Sequence, residues 1–162
     1  MLLNSSKTDI EMKNVYQLSV ELAQDTEQVR LAQRLTLDNS RPLMGLKGSK
    51  GLFGSAEWWN NVREGEIPQK KVSGIITRTY VSGQDLEKVD NTFDMVLPDG
   101  SVHTESIFVH DIKDNDLYRV GHFVQIVYAL DELKAQPASR GNTNYSEIVL
   151  EVAVSKLPSA LL

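Results

Sequence analysis

The sequence has no cysteine, only three histidines and no long hydrophobic run among its 162 residues. The lack of cysteine excludes disulfide bonds and thiolate chemistry, so a metal site would have to use histidine and carboxylate ligands. The longest apolar tract, 123–130, is interrupted by Gln125 and is too short to span a bilayer. The N-terminus, MLLNSSK, lacks the basic start and long apolar stretch of a secretory signal. We therefore expect a cytoplasmic protein without a membrane segment.

What is present is typical of a globular domain. Apolar residues make up 41% and charged residues 24% of the chain, which is long enough to bury a real core. The net charge is −5, and it is uneven: residues 1–65 carry eight acidic and eight basic side chains, whereas residues 66–162 carry fourteen acidic and nine basic. Because acidic surfaces repel phosphate backbones, this distribution disfavours nucleic-acid binding without excluding it.

Alternating apolar and polar residues predict an antiparallel β region from Lys71 onward. Pro98-Asp99-Gly100 is a strong turn signal, and it predicts a hairpin between the runs on either side. The predicted fold class is α+β, mainly β: five or six antiparallel strands in an OB-like barrel or a curled sheet, preceded by one or two helices. The likeness to an OB barrel is one of architecture only. The predicted strands cover residues 72–81, 91–97, 101–109, 122–130 and 145–155.

The N-terminal part leaves an alternative open. Residues 14–23 alternate like a strand, but they also contain good helix formers, so they form either a sixth strand or the first half of a helix. A helix is predicted for residues 26–36, and a second one, from Ala56 to Glu64, is predicted to begin after Ser55 and end at Gly65. We expect one compact domain in three parts, with a glycine-rich linker rather than a phosphate loop at 41–54. The parts are an N-terminal element at 1–40, a connector with a short helix at 41–70 and the β domain at 71–157.

The most unusual local feature is a pair of neighbouring tryptophans, Trp58 and Trp59, on the short helix. Adjacent helical residues diverge by about 100°, so the two indoles cannot face the same way. Either both are buried between the helix and the sheet, or one is exposed beside basic residues and forms a binding face for a protein partner. The predicted partner-binding residues are Trp58, Trp59, Arg63, Lys70 and Lys71.

These features favour a non-catalytic protein-binding module: an adaptor, a regulatory subunit, or an inhibitor or immunity-type protein whose partner is basic. No catalytic residue and no cofactor is predicted. His103, His110 and His122, like the acidic run 111–116, lack the spacing of metal ligands. Self-pairing of residues 148–154, if they lie at a sheet edge, would give a homodimer.

Two alternatives stay open. One is a small-ligand or enzymatic protein with its site in a barrel mouth. The other is an OB-like single-stranded nucleic-acid-binding protein, in which aromatic rings stack on bases and cations meet phosphates. Its predicted contact residues are Arg78, Tyr80, Phe93, Phe108 and Tyr128.

Overall fold

The structure is a computed structural model that describes residues 2–3, 10–83 and 89–159. Within these ranges the chain is mainly β with some helix, as predicted. None of the helices in the described part is long and apolar enough to cross a membrane. In chain order the elements are β1 (Met12–Gln17), α1 (Leu18–Gln24), α2 (Thr26–Leu37), α3 (Ala56–Glu64), β2 (Gln69–Tyr80), β3 (Thr92–Val96), β4 (Val102–Ser106), a 3-10 helix (Ile112–Leu117), β5 (His122–Glu132) and β6 (Tyr145–Pro158).

The strands form one antiparallel sheet in the order β1-β6-β5-β2-β3-β4. The order has two ends, β1 and β4, so the sheet is open, and the six-stranded alternative is the correct one. The barrel alternative is not adopted. β6 lies between β1 and β5, and β1 pairs with residues 151–155 of β6. β6 is therefore not an edge strand over residues 151–155, so the condition for self-pairing is not met there, and the homodimer stays a prediction.

The predicted central hairpin is confirmed as β3 and β4. Its turn is closed by two backbone hydrogen bonds: Leu97 N–H donates to the Ser101 carbonyl at 2.8 Å, and Gly100 N–H donates to the Leu97 carbonyl at 2.9 Å. Gly100 has a φ of 85°, the left-handed conformation that a three-residue hairpin loop needs at its last position. The turn chemistry in the sequence therefore fixed this element locally.

The ambiguous N-terminal segment combines both of its predicted states. β1 occupies Met12–Gln17, and α1 begins at the next residue, Leu18. The predicted helix at 26–36 is confirmed as α2, where the Asp25 side chain accepts a hydrogen bond from Gln28 N–H at 3.2 Å. The predicted helix α3 is also confirmed, with the Ser55 side chain accepting from Trp58 N–H at 3.1 Å.

The chain divides into two compact units, each drawn from separate stretches of sequence. The hairpin unit contains residues 1–17, 71–127 and 151–162, and the tryptophan unit contains residues 18–70 and 128–150. Each has its own buried apolar residues. Those of the hairpin unit include Val15, Ile76, Phe93, Met95, Val124, Ile126 and Val154, and those of the tryptophan unit include Trp58, Val62, Ile67, Tyr128 and Leu150. The three-part division at residues 40 and 70 stays a prediction.

The glycine-rich segment 41–54, expected to be a linker, is folded into the tryptophan unit. Lys47 N–H donates to the Glu132 carbonyl at 2.9 Å, and Lys134 N–H donates to the Gly45 carbonyl at 3.0 Å. Gly51 has a φ of 99°, and a Cβ added there would lie 2.8 Å from the backbone nitrogen of Trp58. The glycine therefore permits close packing against α3 rather than flexibility.

Strand β6, predicted at 145–155, has buried side chains on both faces at residues 149–155, although apolar and polar residues alternate in this part of the sequence. Glu151 is the charged member of this run. Its carboxylate accepts hydrogen bonds from the backbone N–H groups of Leu2 and Leu3 at 2.8–2.9 Å. A buried carboxylate is tolerated when such donors replace its water. The donors lie almost a full chain length away in sequence, and for that reason the local pattern did not reveal them.

Candidate partner-binding surface

The tryptophans of α3 diverge as predicted. Trp58 is 0% exposed, whereas Trp59 is half-buried. The Trp58 indole N–H donates to Asp131 Oδ2 at 2.9 Å, and its ring packs edge-on against Phe53 and Trp59 with centroids 5.1 and 4.9 Å away. Burial raises the pKa of the Asp131 carboxyl, and the indole hydrogen bond opposes that shift. Trp58 is therefore a core residue of the tryptophan unit.

The basic residues of the predicted binding face have different surroundings. Lys70 Nζ lies 2.8 Å from Glu147 Oε1 and 5.9 Å from the centroid of the Tyr128 ring. Arg63 is exposed on α3. Lys71 is also exposed, but it belongs to the hairpin unit. Because Trp58 cannot reach a partner in the folded chain, the predicted face reduces to the other four residues, whose binding role stays a prediction.

The aromatic residues proposed to stack on nucleic-acid bases are largely unavailable. Phe93 is 0% and Tyr128 is 1% exposed, so the prediction is wrong for these two rings. Phe108 is half-buried and packs 4.9 Å from the ring of Tyr16. The Arg78 guanidinium lies 4.1 Å from the centroid of the Tyr80 ring, so these two residues already form a cation–π pair with each other. The described strands form an open sheet rather than a closed barrel, so they do not form the barrel mouth of the small-ligand alternative.

The negative charge is concentrated in one stretch, which we call the acidic segment, residues 89–117. It contains seven of the 22 acidic and one of the 17 basic residues, a net charge of −6. The remaining 133 residues carry 15 acidic and 16 basic side chains, a net charge of +1. The acidic segment comprises β3, β4 and the 3-10 helix, all within the hairpin unit. Averaging charge over residues 66–162 concealed this concentration.

Two carboxylates of the acidic segment are held in the charged form by hydrogen bonds. Asp94 Oδ1 accepts from the Thr104 hydroxyl at 2.7 Å and from the Tyr80 hydroxyl at 2.9 Å. The Thr104 bond, the Tyr80 bond and the nearby Arg78 charge lower the pKa of Asp94. Hydrogen bonds from the hydroxyl and backbone N–H of Ser101 lower the pKa of Asp99 in the same way. Both groups are therefore negative at neutral pH.

An apolar cleft lies in the same region of the hairpin unit. It has a volume of about 480 Å³. Ile112, at its rim, is 77% exposed. Apolar surface rimmed by polar residues can mark a protein–protein contact site, and the acidic residue among those lining this cleft is Asp90. The described residues contain no cluster of three or more possible metal ligands. The cleft is lined by Val89, Asp90, Asn91, Ile107, Val109, Ile112 and Asn115.

The family comparison, rather than the fold or the surface, shows the class of protein: an inhibitor- or immunity-type protein that binds another protein. The comparison with protein families identifies the family: residues 12–155 match the model described as Immunity protein RhsI2, so the chain belongs to that family. The match includes every described strand almost in full, from β1 into β6. Among curated proteins, none matches the chain. Membership of an immunity family implies a protein partner, the cognate toxin.

Proposed function

We propose that this chain neutralises its cognate toxin by binding a basic surface of the toxin with the acidic segment, in the cytoplasm. The observation that carries the proposal is the net charge of −6 in residues 89–117, against +1 in the rest of the sequence. The cytoplasmic location is supported by the absence of cysteine from the sequence.

A concentrated charge acts differently from the same charge spread over a surface. Screening limits each exposed charge to about 8–10 Å at physiological salt, so neighbouring carboxylates reinforce one another only when they are close together. Complementary charges across an interface raise the association rate and reject partners of the wrong sign. We therefore expect the acidic segment to govern the rate and the salt dependence of toxin binding.

The test compares two triple variants that remove equal charge from different places. The first carries Asp90→Asn, Asp99→Asn and Asp116→Asn in the acidic segment. Asparagine keeps an oxygen that can accept the bonds from Thr79 to position 90 and from Ser101 to position 99. The matched control carries Glu57→Gln, Glu64→Gln and Glu66→Gln, three exposed residues of the tryptophan unit.

Surface plasmon resonance with the cognate toxin measures the association rate at low and high salt. We expect the first triple to slow association about tenfold at low salt and to flatten the salt dependence, and the control to do neither. Equal effects of both triples would show that only total charge matters, and the proposal for the acidic segment would then be wrong. Growth rescue of cells that express the toxin gives a second readout of neutralisation.

A further inference from the structure

We propose that the free edge of β4 binds a strand of the toxin through main-chain hydrogen bonds, so that the toxin extends the sheet. This inference rests on the proposed function and specifies how the toxin is held. The occupant is an extended toxin segment with lysine or arginine at alternate positions. Strand addition of this kind takes its affinity from backbone pairing and its specificity from side chains at alternate positions.

The register of the hairpin shows which backbone groups of β4 point outward. Ile107 N–H donates to the Asn91 carbonyl and Leu97 N–H donates to the Ser101 carbonyl, both at 2.8 Å. Antiparallel pairs alternate between bonded and non-bonded positions, so His103 and Glu105 direct their N–H and carbonyl groups toward β3. The same groups of the intervening residues, Val102, Thr104 and Ser106, therefore point away from the sheet.

Most of these outward groups are available. The Ser106 N–H is occupied by the Glu105 carboxylate at 2.7 Å. Val102, by contrast, is 64% exposed, and Thr104 is exposed as well. β4 is the last strand in the sheet order, and no other described strand pairs with its outer side. A free edge that keeps its donors and acceptors in line is a template for another strand.

The opposite edge strand, β1, is covered by other residues of the chain, in contrast to β4. On β1, the Val15 carbonyl accepts from His110 N–H at 3.0 Å, and Gln17 N–H donates to His110 Nε2 at 2.9 Å. Beside them Lys13 Nζ lies 2.6 Å from Asp114 Oδ1. The chain thus covers β1 with its own residues 110–114 and leaves β4 without such a cover in the part that the structure describes.

Charge selects a basic strand rather than a second copy of this chain. Pairing β4 with β4 of another copy would bring together two acidic segments of net charge −6 each, which repel. A basic toxin strand meets the opposite field. Asp94 reinforces this choice, because its carboxylate is bonded to the Thr104 hydroxyl and so lies beside the free edge on the exposed face.

The experiment removes one outward N–H while keeping the fold. Thr104→Pro deletes the backbone donor at the middle of β4, and proline is tolerated at an edge position whose N–H faces solvent. Thr104→Val is the matched control: it also loses the hydroxyl, but it keeps the N–H. Both full-length variants are compared by thermal unfolding and by equilibrium binding to the cognate toxin.

We expect the two variants to unfold at similar temperatures and Thr104→Pro to bind the toxin at least tenfold more weakly than Thr104→Val. Equal affinities would overturn the inference. If Thr104→Pro does not fold, amide hydrogen exchange of the natural chain gives the answer. The amides of Val102 and Thr104 should exchange at least tenfold more slowly in the toxin complex, and unchanged rates would overturn the inference too.

The outcome separates this inference from the proposed function. If the natural chain does not bind the toxin, or binds it without salt dependence, the proposed function itself fails. If binding is salt-dependent but Thr104→Pro and Thr104→Val behave alike, the acidic segment still binds the toxin, and only strand addition at β4 is wrong.

Discussion

Helix α3 and strand β4 both carry groups that commonly bind proteins, but they differ in where those groups find their partners. In α3 the Trp58 indole is bonded to Asp131 and packed in the core, and just beyond the helix Lys70 pairs with Glu147. In β4 the backbone groups of Val102 and Thr104 point outward, within a segment that has one lysine against seven acidic residues. The groups of α3 thus have partners inside the tryptophan unit, whereas the outward backbone groups of β4 have no strand partner among the described residues.

The largest loss of folding stability is expected at Trp58, the core residue of α3. Trp58→Ala removes a fully buried ring and leaves Asp131 without its indole donor, so we expect it to lower the free energy of unfolding by about 3–5 kcal/mol. Trp59→Ala is the control, since its half-buried ring should cost about 1 kcal/mol. Urea unfolding measures both. Similar losses from the two variants would mean that Trp58 is not the core residue described above.

The central hairpin and helix α3 could be predicted because their signals are local. Pro98-Asp99-Gly100 determines its turn through its own backbone geometry. Ser55 caps α3 by accepting a hydrogen bond from Trp58 N–H, three residues further on. The boundary between β1 and α1 could not be predicted, because the alternating pattern and the helix formers overlap in residues 14–23. Nothing near Glu151 in the sequence shows that Leu2 and Leu3 solvate its carboxylate.

The candidate site at β4 could be predicted even less, because it is formed by pairings between residues that are distant in the sequence. That β4 is an edge strand follows from the strand order, which places β3 and not a later strand beside it. That β1 is covered depends on His110, about ninety residues further along the chain. The predicted hairpin already contained Asp94, Asp99 and Glu105, but only the fold showed the helical turn that follows it and the free edge of β4. The apolar cleft around Ile112 likewise has no signature in the sequence.

A smaller effect on folding stability is expected at Asp131, the hydrogen-bond partner of Trp58, because burying its carboxylate is unfavourable. Burial raises its pKa in the folded chain above the unfolded value, so the folded state binds the proton more tightly. Its contribution to stability is therefore greatest below the unfolded pKa and is lost as the pH rises through the folded pKa. Asp131→Asn keeps an oxygen for the indole and carries no charge at any pH.

We expect Asp131→Asn to be favoured relative to the natural chain at pH 7, and to lose that advantage as the pH falls toward 4 and the Asp131 carboxyl is protonated. Urea unfolding of both chains at the two pH values measures the difference. Glu64→Gln, exposed on α3, corrects for the change in net charge. A difference that is independent of pH, or that grows toward pH 4, would contradict the assigned pKa direction.

The smallest effect, a change in toxin affinity, is expected from the exposed charges on and near α3. Arg63→Glu with Lys70→Glu reverses two exposed charges of the tryptophan unit, and Lys70 already has Glu147 as a partner. If the toxin is bound by the acidic segment, we expect its affinity to change less than about twofold, because neither side chain then contacts the toxin and exposed charges outside the interface are largely screened at physiological salt. Competition binding against the natural chain resolves a change of this size. A loss of tenfold or more would instead favour the face predicted from Trp59, Arg63, Lys70 and Lys71, because charge reversal at a contact creates repulsion that the toxin could not avoid.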